Sequence, residues 1–106
     1  MLDLDATASV LDAALHRDTK MTVLMLRTLV LLAQRGEFGA TQEDLQRTLR
    51  ISQAAASRLM SRLSNHGSPS PCVGTPLDLA SLTLSPTDAR VRVLKLNARG
   101  RRLLHL

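Results

Sequence analysis

Apolar residues recur at helical spacing through the first part of the chain and at strand spacing nearer its end. Over residues 3–16, Leu4, Ala8, Leu11 and Leu15 fall at i, i+4, i+7 and i+11, one face of an α-helix, with Asp3 and Asp5 where the helix dipole favours acids. Residues 20–35 predict the strongest helix, with Asp18 or Thr19 as its cap and Arg35 and Gly36 at its end. Its apolar positions, from Met21 to Ala33, cover nearly the whole circumference. A helix apolar all round must be buried all round, which a single small core does not easily provide. Part of it is therefore expected to face a second copy of the chain; the alternative is a central helix wrapped by its own chain.

A third helix starts at Thr41, where Thr41-Gln42-Glu43-Asp44 has the form of a capping box. Ser52 caps a fourth, running to about His66 and stopped by Gly67. The proline- and glycine-rich stretch 67–76 reads as a loop. Residues 77–84 and 91–97 read as two strands joined by a turn at 85–90, a hairpin. Along the second strand the period of two slips at Val93-Leu94. Asn97 then caps a last helix, 98–106. The predicted fold is mainly α with a small β-hairpin wing, a winged helix-turn-helix in a single domain, 1–106. Its parts are N-terminal helices (3–35) that serve dimerisation, a helix-turn-helix (41–66), a wing (77–97) and a C-terminal helix.

Composition narrows the function. The 106 residues contain one Phe and no Trp or Tyr, so binding single strands by stacking bases on aromatic side chains is excluded. A nucleic acid would have to be met through its grooves and phosphates. Residues 1–50 carry six basic and seven acidic side chains, and residues 51–106 eight basic and two acidic, so a net charge of +5 is concentrated in the second half. A polyanion-binding surface needs such a field.

The single cysteine, Cys72, excludes an internal disulfide framework. The acidic start is unlike a signal peptide, and the longest apolar run, Leu29 to Ala33, is far short of the ~20 residues a membrane span needs. A cytoplasmic protein is expected, with no membrane partner. His16, His66, His105 and Cys72 lack metal-ligand spacing. No Ser lies in a nucleophile motif, and no phosphate-binding glycine loop is present. Neither an enzyme, a cofactor nor a metal site is predicted.

Residues 41–63 carry the chemistry. Leu45, Leu49, Ile51, Ala56, Leu59 and Leu63 supply the packing of two short helices at a steep angle. On the second helix, Ala56, Leu59, Met60 and Leu63 share one face, and Ala54, Ser57, Arg58, Ser61 and Arg62 the opposite one. Small residues let a helix approach base edges in the major groove, while Arg58 and Arg62 are long enough for bases or phosphates. Ser52 and Gln53 stand at the helix N-terminus, where the dipole favours phosphate. The candidate DNA-binding set is Thr41, Gln42, Ser52, Gln53, Ala54, Ser57, Arg58, Ser61, Arg62, Arg90 and Arg92. For Arg90 the alternative is a local pair with Asp88; Arg99, Arg101 and Arg102 either contact phosphate or serve solubility, and the latter reading is preferred.

Three stretches resemble the MarR family of bacterial winged helix-turn-helix regulators: Ile51-Ser52-Gln53 leading into Ser57-Arg58-Leu59 and Arg62-Leu63, the hairpin tip Asp88-Ala89-Arg90, and the segment from Leu96 to Leu104 with Gly100 near a helix start. The resemblance spans roughly 20–104. It implies a recognition helix (52–65) in the major groove, a wing tip (85–90) on an adjacent minor groove or phosphate, and a homodimeric repressor of transcription on double-stranded DNA. Roles for Ser57, Arg58, Arg62 and Arg90 are implied with it. Departures are Arg50 at a turn where a small residue is common, which implies strain there, Gln46 where Ala is common, and the long loop 67–76. The chain looks trimmed, without the family's long C-terminal dimerisation helix. Dimerisation is therefore assigned to Leu4, Leu11, Leu15, Val23, Leu26 and Val30, and no small-molecule effector is expected. The alternatives are a winged-helix protein–protein adaptor and a DNA-binding partition or replication-control factor of a plasmid or phage.

Overall fold

The computed structural model describes residues 3–17, 22–64, 76–88 and 90–106. Along these run α1 (Leu4–Arg17), α2 (Val23–Arg35), a 3-10 turn (Gly36–Phe38), β1 (Ala40–Thr41), α3 (Gln42–Leu49), α4 (Gln53–Leu63), β2 (Ala80–Leu84), β3 (Arg92–Leu96) and α5 (Ala98–Leu103). This is the winged helix-turn-helix expected: helices packed on a small sheet, with β2 and β3 as the wing.

Short polar side chains open four of the helices. The Thr41 hydroxyl accepts from the Asp44 amide at 3.1 Å, and the Asp44 carboxylate accepts from the Thr41 amide at 3.0 Å, closing the capping box. Ser52 accepts from Ala55 N and Asn97 from Gly100 N, as read from the sequence. The cap of α2 is Thr22, whose hydroxyl accepts from Met25 N at 3.1 Å; Asp18 and Thr19 lie outside the described residues. The last helix is shorter than the 98–106 expected, and α4 ends with Ser64 as its C-cap. The stop expected at Gly67, the loop with Cys72, His66, and Ala89 of the turn all lie outside the described residues.

The sheet has three antiparallel strands in the order β1-β3-β2, with Ala40 opposite Leu94 and Ala80 opposite Leu96. The two-residue β1 was not expected. β3 is buried on both faces at its middle, which explains the slipped period: Leu94 is fully buried in the core and Val93 is buried on the other side. There Val93 lies against Gly39, where a Cβ would come within 2.6 Å of Val93 Cγ1; Gly39 also has φ 62°, a conformation other residues rarely adopt. β2 begins at Ala80, not at residue 77, because Asp78 turns the chain with φ 55°.

Leu29 and Leu32 of α2, Leu45 of α3, Leu63 of α4, Leu79 and Leu94 are fully buried and form the centre of the core. Each contributes about 1.5–3 kcal/mol by leaving water. Together they pin α3 and α4 against the sheet and α2. α2 buries only Thr28, Leu29, Leu31 and Leu32 in its own chain, while Val23 and Val30 stay exposed.

Candidate nucleic-acid interface

The turn between α3 and α4 determines how the second helix is presented. Arg50 closes α3 in the left-handed conformation, φ 55° and ψ 51°, with its amide donating to the Gln46 carbonyl. This is the strain its identity implied. Ile51 N also donates to Gln46 O, at 3.2 Å. α4 then packs Ala56, Leu59, Met60 and Leu63 inward. Ser52, Gln53, Ala54, Ser57 and Arg58 are exposed, and Ser61 is half-buried.

Arg62 departs from the expectation. It is only 7% exposed, so it does not belong to the solvent-facing side of α4. At 3.6 residues per turn, Arg62 is rotated roughly 40° from Arg58 toward the Leu59 flank. The first turn of α2 lies over that flank: Thr22, Leu24 and Met25 enclose a cleft with Ala55, Leu59 and the two arginines. Arg58 is left as the one long basic side chain α4 presents to solvent.

A second cleft, of about 440 Å³, separates α4 from the wing. Thr41, the cap of α3, Gln42 of α3, Ser57 and Ser61 of α4, and Arg90 and Arg92 of the hairpin line it. The fold thus brings six predicted residues around one space. Ser52, Gln53 and Ala54 sit at the free N-terminal end of α4, where Gln42 Nε2 donates to Gln53 O at 3.4 Å. Glu43 and Gln46 line the same cleft and were not among the candidates. For Gln46 the available signal was its place one helical turn after Gln42, on the same face; Glu43 had none.

The wing tip is a hydrogen-bonded turn. Ser85 N donates to Val91 O at 2.8 Å, and Val91 N to Asp88 O at 3.0 Å. Asp88 Oδ1 accepts from both the amide (3.0 Å) and Nε (3.2 Å) of Arg90. Those bonds, the amide first, hold the Asp88 carboxyl below its ordinary value. The local pair weighed for Arg90 is therefore present, yet its side chain remains 91% exposed. Arg92 is also exposed. Arg99, read as a solubilising residue, is instead paired with Asp78; Arg101 and Arg102 are exposed.

Behind the motif, Arg35 braces α3. Its guanidinium pairs with Asp44 at 2.9 Å and its Nε donates to Gly39 O. Burial alone would raise the Asp44 carboxyl, but the Thr41 amide and side chain, then Arg35 and Arg47, outweigh it and leave it below 3.8.

The described residues define a winged helix-turn-helix with an exposed, basic second helix and an arginine-tipped wing. No family model matches the chain, and no curated protein matches it. Among solved structures, it is similar to S. aureus MepR, determined as a complex with DNA. The TM-score is 0.71 at 20% sequence identity, and the match covers 96% of this chain and 73% of that one. The resemblance read from the sequence thus holds at the level of the fold. Among the described residues, no helix is long and apolar enough to cross a membrane.

Proposed function

We propose that the protein is a sequence-specific regulator of transcription that binds double-stranded DNA and acts as a repressor. The observation that carries this reading is the juxtaposition of Ser57 and Ser61 on α4 with Arg90 and Arg92 across the cleft, with Arg58 exposed on the same helix. An α-helix fills a major groove about 12 Å wide. The hairpin tip then meets the flanking minor groove or phosphates, where a guanidinium finds the most negative potential. Ala54, Ser57 and Ser61 keep the helix surface low, Arg58 reads a base edge, and Ser52, Gln53, Thr41 and Gln42 meet the backbone near two helix N-termini. Arg62 supports α4 from behind. MepR, which shares the fold, was solved with DNA, and this supports the reading.

The active form is a homodimer in the cytoplasm. Leu4, Leu11 and Leu15 of α1 are 74%, 45% and 53% exposed, and Val23 and Val30 of α2 are exposed too. Leu11, Leu26 and Val30 line an apolar groove with Leu104 and Leu106. A contiguous apolar face of this kind marks an interaction site, and a second copy placed there would present two recognition helices to a two-fold symmetric site.

Selection of duplexes from a randomised pool tests the proposal. Enrichment of a two-fold symmetric site, lost with Arg58→Ala, is the expected outcome. Failure to enrich any sequence would contradict it, and would favour a winged-helix adaptor for protein partners.

A further inference from the structure

The wing and α4 touch the proposed DNA site from opposite sides, so their mutual angle must be held. The strand ladder pairs β2 with β3 only, and it is residues 76–79, leading into β2, that meet the end of α4. That segment is fastened at both sides. Leu77 N donates to Arg62 O at 2.8 Å, Leu79 N to Leu63 O at 2.8 Å, and Asp78 N to Ser64 O at 3.3 Å, so the C-terminal carbonyls of α4 receive three consecutive amides. These are carbonyls that a helix end otherwise leaves unsatisfied.

From the other side, Asn97 takes hold of the same segment. Its Nδ2 donates to the Asp78 carbonyl at 3.0 Å and to Asp78 Oδ1 at 3.2 Å. Its amide donates to Leu79 O at 3.2 Å, while its Oδ1 caps α5 through Gly100 N at 2.9 Å. Arg99 of α5 pairs with Asp78 Oδ2. α5 can approach this closely because residue 100 is glycine; a Cβ there would collide with the Leu79 carbonyl oxygen. Asp78 sits at the centre, with φ 55°, a conformation Asp tolerates better than most residues.

We infer that Asp78 is a positioning residue: through Asn97 and Arg99 its carboxylate clasps to α5 the segment whose amides hold the end of α4, and so sets where Arg90 meets DNA. The inference rests on the DNA reading above. The leverage is large. Five strand residues span about 17 Å, so a tilt of about 10° at the base displaces the tip by roughly 3 Å, half the width of a minor groove of about 6 Å. Arg90 and Asp78 are too far apart along the hairpin to touch, so any energetic coupling between them runs through this geometry.

A double-mutant cycle separates positioning from general stability. Asp78→Gly removes the carboxylate while keeping the left-handed backbone accessible, so the variant folds. In the otherwise native protein, Arg90→Ala is expected to weaken binding to the selected duplex by about 10-fold; in the Asp78→Gly background the same change is expected to cost under about 3-fold. Asp78→Asn, which tolerates the same backbone and offers Asn97 an oxygen, should restore much of the coupling. Equal losses from Arg90→Ala in both backgrounds would overturn the clasp. Amide hydrogen exchange reads it without DNA: wing residues 83–92 should exchange faster in Asp78→Gly while α3 and α4 do not change. Unchanged wing exchange would overturn the inference even if the protein binds DNA. Faster wing exchange in a protein that binds no duplex would uphold the clasp and sink the DNA reading.

Discussion

Two arginines one helical turn apart on α4 have opposite surroundings, and that contrast carries the residue-level account. Arg58 projects into solvent; Arg62 is buried. Arg58→Ala is expected to weaken specific DNA binding by about 1–3 kcal/mol, with a much smaller effect on random duplex, and to leave the unfolding midpoint unchanged. Arg62→Ala is expected to do the reverse first: it strips a buried side chain of its packing and lowers stability by about 1–3 kcal/mol. Thermal melts beside binding isotherms check both, and an Arg62→Ala protein of native stability would contradict its placement. Asp44 adds a pH dependence. Its carboxyl lies below its ordinary value in the folded protein, so its bonds to Thr41 and Arg35 stabilise fully above the ordinary carboxylate range. The contribution disappears as pH falls through the folded value. Urea unfolding should therefore show a gap between the native protein and Asp44→Asn that is wide at pH 7 and narrows below about pH 4.

At the scale of elements, the turn of the helix-turn-helix holds a basic residue in a conformation that suits glycine. Arg50→Gly is expected to raise the urea midpoint, worth about 1 kcal/mol, with no change in slope. A lowered midpoint would mean that the Arg50 side chain makes a stabilising contact. What was legible in the sequence follows the range of the interactions. The capping box at Thr41 and Asp44, the Ser52 and Asn97 caps and the inward face of α4 are set within a few residues, and they were read correctly. Arg62 was placed on the wrong face because burial of a helix flank is set by tertiary packing, which the helix's own periodicity does not carry. β1 escaped notice because two residues carry no periodicity, and the start of β2 was misjudged because nothing in Leu77-Asp78-Leu79 marks Asp78 as a left-handed bend. The candidate cleft was legible as a set of residues. Its wall at Glu43 was not, since it depends on the angle between α3 and the wing.

For the molecule as a whole, the apolar face of α1 and α2 and the basic second half of the chain both serve the proposed dimer with its two reading heads. Leu11→Glu would place a charge at the 45%-exposed edge of that face. It is expected to shift the sedimenting species from dimer to monomer and to weaken binding to a symmetric site, while each domain stays folded. A native protein that sediments as a monomer at tens of micromolar would remove the dimer from the account. The central claim is that duplex DNA is the partner, and fluorescence anisotropy tests it most directly. A labelled duplex from upstream of the protein's own gene and a random duplex of equal length are titrated across a salt series. With about six phosphates engaged, the logarithm of the affinity should fall against the logarithm of salt with a slope near −5, and the upstream duplex should bind more tightly. No binding to either duplex at low salt would contradict the account.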